Sequence, residues 1–201
     1  MKKFLLFILM SACFINSGHA FWFDGKYHRT TARGHYVNRT KATFGEIGDW
    51  VQLIIPGSAL VYSTAIGDWQ GNGQLALSYT ATWAATSVLK FYVDEERPSQ
   101  LDSAPHGRSF PSGHTSSAFA GAAYWQRRYG WYVGAPMYAA ASFVGYSRVA
   151  TKMHNWTDVA AGAALGIGFN CLFTSRYNDA ATQVSIDPVE GGAYLKFRTL
   201  F

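Results

Sequence analysis

Three short segments carry the residues best suited to chemistry. Lys90-x6-Arg97-Pro98 comes first, Pro111-Ser112-Gly113-His114 follows, and Ser147-Arg148-x5-His154-x3-Asp158 closes the set. Together they supply three permanent cations, two histidines and a carboxylate. That is an inventory for phosphate transfer without a metal. The transition state of such a transfer spreads charge over the equatorial phosphate oxygens, so it needs fixed donors around them. Lys90, Arg97 and Arg148 are the candidate donors, and arginine's planar fork suits bidentate phosphate contacts.

Ser112-Gly113-His114 after Pro111 reads as a helix start. The first amides of a helix are unpaired and form an anion site. Gly113 lets backbone approach a phosphate closely, and Ser112 can cap the helix or donate to an oxygen. Alone, this segment could be any helix start. His154 and Asp158 are four apart, so on a helix they share one face. The carboxylate can hold one ring nitrogen and leave the other free to attack phosphorus. An isolated pair at this spacing is more often an ordinary surface pair. One histidine must be neutral to attack and the other protonated to serve the leaving oxygen, and His114 is the candidate acid. His106 and Arg108 precede the second segment, where solvation is the simpler reading. Nothing in the sequence resembles a metal cluster: it has no Cys-x-x-Cys and no His-x3-His pair.

Helices must position these groups. Periodicity turns helical near Phe44. Pro56 should break or kink that first helix, and apolar small residues continue to Ile66. Gly67-Asp68 and Gly71-Asn72-Gly73 read as turns. Further helices are expected over 74–93, from Ser112 as cap to about Tyr129, over 131–152 and over 155–177. Gly130 should end the second of these four. On the first, Leu75, Leu77, Tyr79, Trp83, Val88, Leu89 and Tyr92 are candidate packing residues. Residues 94–111 read as a loop. Thr182–Ile186 and Ala193–Phe201 read as a β-hairpin around Asp187-Pro188 and Glu190-Gly191-Gly192. The expected fold is all-α, a compact bundle of about five to six helices with a short C-terminal hairpin tail. The expected organisation is a signal peptide over 1–20, an irregular arm over 21–45, a helical domain over 46–177 and a tail over 178–201.

Composition bounds the rest. The chain has 201 residues, of which 49% are hydrophobic, 16% aromatic and only 14% charged. Lys2, Lys3, the apolar run Phe4–Ile15 and Gly18-His19-Ala20 form a secretory signal pattern. An uncleaved anchor helix and lipidation at Cys13 are the alternatives. The net charge of +5 includes two signal lysines. No basic run with interleaved aromatics exists, so nucleic acid is not an expected partner. Cys171 lies in an apolar segment and is expected to pack in the core. The apolar segments are shorter than the about 20 residues of a membrane span, and mean hydropathy is −0.03. The expectation is a bundle exported to the periplasm and resting on a membrane surface, with an integral membrane protein as the alternative. Trp22, Phe23, Trp50, Trp69 and Trp131 are candidate surface contacts.

The three ordered segments resemble the complete signature of the type 2 phosphatidic acid phosphatases. Their superfamily includes class A bacterial acid phosphatases and vanadium haloperoxidases. The resemblance implies the helical core of that fold over about 46–177. It also implies a metal-independent phosphatase, without cofactor, acting on a lipid phosphate or diphosphate through a phosphohistidine. His154 would be the nucleophile, Asp158 its orienting partner and His114 the acid. Lys90, Arg97, Ser112, Gly113 and Arg148 would bind the phosphate. A broad-specificity acid phosphatase, a vanadium haloperoxidase and a lipid phosphotransferase are the competing readings.

Overall fold

A first helix, α1 (Arg39–Ala65), runs straight through Pro56. Proline inside a helix removes the hydrogen bond to the carbonyl four residues back. Here that carbonyl belongs to Gln52, and Ser117 Oγ donates to it at 3.3 Å. The ring lies against Gly121, where an added Cβ would come within 2.7 Å of Pro56 N. A neighbouring helix thus satisfies the lost bond and makes room for the ring. This computed structural model describes backbone over residues 39–98, 108–177, 182–189 and 192–199, and side chains over 43–98 and 108–177. The signal pattern, Cys13, Trp22, Phe23, the arm up to residue 38, His106 and Phe201 lie outside the described residues. Residues 39–45, assigned to the arm by sequence, belong to α1.

Four more helices follow. These are α2 (Trp69–Tyr92), α3 (Gly113–Tyr129), α4 (Trp131–Ala150) and α5 (Trp156–Phe173). Asp68 caps α2 by accepting from Gly71 N at 2.8 Å. Gly71-Asn72-Gly73 is therefore the first turn of a helix and not a loop. Ser112 caps α3 as expected, accepting from Thr115 N. Gly130, at φ 96°, both ends α3 and opens α4. That left-handed backbone suits glycine. Strands β1 (Thr182–Val189) and β2 (Gly192–Thr199) pair antiparallel, from Thr182 opposite Thr199 to Val189 opposite Gly192. Asp187 and Pro188 lie within β1 rather than in its turn. Among the described residues, five helices form a bundle, which matches the all-α fold class read from sequence.

Helix α3 is the axis of the bundle and packs against each of the other described helices. Small residues make this possible. Ala118, Ala120, Ala122 and Ala123 are fully buried, beside Ile55, Ala59, Tyr124, Ala141 and Val144. Much of the interior is polar. The inward face of α2 is Gly71, Gln74, Leu75, Ser78, Tyr79, Thr82 and Thr86. Tyr79 OH meets Ser117 Oγ at 2.5 Å and Thr86 Oγ1 donates to Ser116 Oγ at 3.1 Å. Of the packing residues expected on α2, Leu75 and Tyr79 are buried, whereas Val88 and Tyr92 face outward. Cys171 is exposed too. The inward stripe of α5 runs Gly162, Gly166, Asn170, which turns the next residue about 100° away.

The end of the bundle remote from the three motifs is held by Asp68. Its carboxylate receives Arg128 Nε at 2.8 Å, Arg128 Nη2 at 2.6 Å and Tyr129 OH at 2.8 Å. Arg128 Nη1 in turn donates to the carbonyls of Ser175 and Arg176. This cluster joins the α1–α2 turn, the end of α3 and the segment after α5. Both side chains of the ion pair are only 3% exposed. Removing one member leaves a buried charge uncompensated, at a cost of about 3–5 kcal/mol. Asp68→Ala should therefore lower the thermal unfolding midpoint sharply, by calorimetry. An unchanged midpoint would contradict the clamp.

Candidate active site

The turn between α4 and α5 carries the third motif. Arg148 lies in the last turn of α4 and its carbonyl accepts from Met153 N at 3.0 Å and His154 N at 3.3 Å. Lys152 takes a left-handed φ of 59° to make the reversal. His154 thus precedes α5, and Asp158 sits in the helix's first turn. Asp158 Oδ2 accepts from Asn155 N at 3.0 Å and from Ser109 Oγ at 2.5 Å, and lies 3.2 Å from His154 Nδ1. The same carboxylate caps the helix and holds the imidazole. His154 Nε2 is left as the other ring nitrogen. The pair meets as the sequence predicts, but across a capped turn rather than along a helix face.

The second motif docks directly on the third. Ser112 N donates to the Asp158 carbonyl at 3.0 Å. Gly162, one turn further along α5, lets the helices touch: a Cβ there would come within 2.6 Å of Ser112 O. Ser112 Oγ receives Thr115 N and Thr115 Oγ1. Among the described residues, the amides of Gly113 and His114 have no hydrogen-bond partner. As the first amides of a 17-residue helix, they can form an anion cradle.

The cations converge on the same place. Arg97 acts electrostatically on both His114 and His154, and Lys90 on His154. Lys90 Nζ donates to the carbonyls of Arg108 at 2.9 Å and Ser109 at 3.2 Å, which pins the loop before the second motif. Arg148 is 2% exposed and engaged on every side. Nε donates to Ser147 Oγ at 3.1 Å, Nη1 to Asp49 Oδ1 at 2.7 Å and Nη2 to Gly45 O at 2.5 Å. His114 Nε2 lies 2.9 Å from the same Asp49 oxygen.

All eight candidate residues named from the motifs therefore gather at one end of the bundle. Two residues of the site were not found by sequence reasoning. Ser109 orients Asp158 and lies 3.3 Å from His154 Nδ1. Its position three residues before Ser112 is the only local signal. Asp49 comes from α1, far from the motifs in sequence, beside the small residues Gly45 and Gly48.

Burial and charge set the protonation states. Burial drives the His154 imidazole down to about 4, helped by Lys90, Arg97 and His114 and opposed by Asp158. It is neutral at physiological pH. Burial alone would raise Asp158, but hydrogen bonds from His154, Ser109 and Asn155 more than offset it and hold the carboxyl below its usual range. Burial also lowers His114. Arg148 and Arg97 lower it further, while Asp49 raises it. A dianionic phosphate bound beside it would raise it as well. Among the described residues, no group of three or more His, Cys, Asp or Glu is placed to hold a metal ion. A neutral, oriented nitrogen, an anion cradle and surrounding cations can bind a phosphate and attack it.

The family model of the PAP2 superfamily matches residues 72–181, which include every motif residue. A lipid A 4'-phosphatase of Helicobacter pylori is 32% identical over 148 residues, 70% of this chain and 74% of that protein. A lipid A 1-phosphatase of Porphyromonas gingivalis is 48% identical over 63 residues, 29% of this chain and 14% of that protein. The fold recurs in Aquifex aeolicus LpxE, with a TM-score of 0.58 and 24% identity over 66% of this chain and 84% of that one. It recurs also in a transmembrane PAP2 type phosphatidylglycerolphosphate phosphatase of Bacillus subtilis. There the TM-score is 0.51 and identity 20%, over 85% of this chain and 91% of that one. The motifs, the helical core and these relatives agree, and the chain belongs to the PAP2 superfamily.

Proposed function

We propose that this protein is a lipid phosphate phosphatase that works through a phosphohistidine on His154. The observation that carries the reading is the His154–Asp158 pair. Its Nδ1 is held by the carboxylate, its imidazole is neutral, and Lys90, Arg97 and His114 act on it electrostatically. His154 Nε2 attacks phosphorus, and the bond from phosphorus to the ester oxygen breaks. His114 gives its proton to that oxygen. Water then attacks the phosphohistidine and passes a proton to His114, releasing inorganic phosphate and restoring His154. Gly113, Ser112, Arg97, Lys90 and Arg148 hold the phosphate oxygens, and Asp158 steadies the imidazole throughout.

The names of the two curated relatives support a lipid A phosphate as substrate class. The outer surface supports access to a lipid. Trp50, Ile54, Val61, Val88, Phe91, Trp131 and Leu172 are all exposed, while Gln52, Gln74, Ser78, Thr82 and Asn170 are buried. Exposed apolar surface on this scale marks a partner or a membrane. Helix α5 is also long and apolar enough to cross a bilayer. The signal pattern over residues 1–20 supports export, so the proposed place of action is the outer side of the cytoplasmic membrane.

Three outcomes test this reading. Phosphate release from lipid A, phosphatidic acid, an isoprenoid diphosphate and a small soluble ester should favour a lipid. It should survive excess EDTA and fall at least about a thousandfold in His154→Ala, as loss of a nucleophile requires. Substantial activity in that variant, or metal-reversible loss in EDTA, would overturn the mechanism. kcat/KM should fall as pH drops through about 4, where His154 takes up a proton. An acid limb centred near 6.5 would contradict the neutral buried imidazole. Finally, the protein should stay with membranes through a high-salt wash and leave them in detergent. Release by salt alone would make the contact electrostatic rather than apolar.

A further inference from the structure

A second acidic side chain enters the site from a helix that carries none of the motifs. Asp49 Oδ1 lies 2.7 Å from Arg148 Nη1 and 2.9 Å from His114 Nε2. Its helix is built to bring it there. Gly45 offers its carbonyl to Arg148 Nη2. Gly48 has no side chain where one would collide: a Cβ would come within 2.6 Å of Arg148 Nη2 and closer still to Ser147 Oγ. Residues 45, 48 and 49 thus form one face of α1, since positions three and four apart are neighbours on a helix. That face is pressed on the end of α4. The Asp49–His114 contact has a further feature. His114 Nε2 is itself buried, with the Asp49 oxygen 2.9 Å away.

We propose that Asp49 is the positioning residue of the acid half of the site, holding the His114 imidazole and the Arg148 guanidinium to one carboxylate oxygen so that His114 stays protonated for the leaving group. The proposal rests on the phosphatase reading above. It gives the site two histidine–carboxylate pairs with opposite tasks. Asp158 holds His154 through Nδ1 in a strongly buried, neutral state. Asp49 supplies negative charge to a histidine otherwise surrounded by positive groups. The charged and titratable groups facing His114 are Asp49 from α1, Arg148 from α4, Arg97 from the loop after α2, and His154 from the α4–α5 turn. Among these described residues, only Asp49 is acidic. Burial, Arg148 and Arg97 all push the His114 proton off, and Asp49 opposes them. Without it, His114 would lose its proton at a still lower pH than it does with Asp49 beside it.

The sign of the effect is fixed by that argument. A general acid must be protonated, so kcat falls on the alkaline side as pH rises through its pKa in the complex. Asp49→Asn keeps the size and removes the charge. Its alkaline limb should move about two pH units lower, a shift of the size that one close opposite charge contributes. General acid catalysis contributes about 10²–10⁴-fold. At pH 8, Asp49→Asn should therefore lose about a hundredfold or more in kcat on a lipid phosphate, whose alkoxide leaves poorly. On p-nitrophenyl phosphate, whose phenolate needs no proton, the loss should stay under about tenfold. Asp49→Glu should recover most of the activity.

Calorimetry on each variant separates misfolding from chemistry, and inorganic phosphate as competitive inhibitor reads ground-state anion binding. An alkaline limb that does not move in folded Asp49→Asn would overturn the proposal. Equal losses for both leaving groups would overturn it too, leaving Asp49 only a brace for Arg148. A gain in activity with tighter phosphate inhibition would overturn it in favour of a carboxylate that blocks the anion cradle. Failure of the underlying reading is distinguishable, because wild type and His154→Ala would then release phosphate at the same rate.

Discussion

The junction at Asp158 is the constraint on which the site depends. Its carboxylate takes the Asn155 amide, the Ser109 hydroxyl and the His154 ring, while its carbonyl takes the Ser112 amide. One residue therefore caps α5, orients a histidine and joins the second motif to the third. The residue is completely buried. A buried carboxylate is costly unless it is hydrogen-bonded, and these donors offset that cost. Loss of any one donor would disturb both the helix start and the imidazole.

The packing around this junction explains the small residues. Gly162 and Gly166 on α5 lie against the backbone of α3, and Gly121 on α3 lies against Pro56 of α1. Helices this close leave no room for large apolar side chains between them. The interior is filled instead by alanine, serine, threonine and the two glutamines, joined by short hydrogen bonds. Ile55, Leu75, Tyr124 and Val144 pack inside, and many other large apolar residues face outward. A site for a lipid phosphate gains from both halves of this arrangement. The polar interior gives fixed dipoles around an anion, and the apolar exterior gives a surface on which acyl chains can lie.

The two ends of the bundle solve the same problem with different partners. At one end Asp68 and Arg128 close a buried ion pair that no substrate needs to enter. At the other, Asp49 and Arg148 close a pair that stands beside the anion cradle. Asp49 keeps a side chain 20% exposed, whereas Asp68 is 3% exposed. That difference in exposure separates a clamp from a group that can respond to a ligand.

The sequence alone determined the class of fold and the candidate residues for the chemistry. Lys90, Arg97, Ser112, Gly113, His114, Arg148, His154 and Asp158 are short-range patterns of residue type and spacing, and their roles as candidates follow from what a phosphate requires. The Ser112 cap and the Gly130 break were legible for the same reason, since each depends only on neighbouring backbone. The tertiary structure decided what local pattern cannot encode. Helix α1 passes Pro56 because Ser117, 65 residues away, satisfies the Gln52 carbonyl. Val88, Tyr92 and Cys171 face outward because small and polar residues already fill the close helix contacts. Asp49 reaches Arg148 across 99 residues of chain, and such a pair is specified by helix packing rather than by periodicity. Spacing along a chain fixes neighbours within a turn or two, whereas a site built from several helices is fixed only when their surfaces meet.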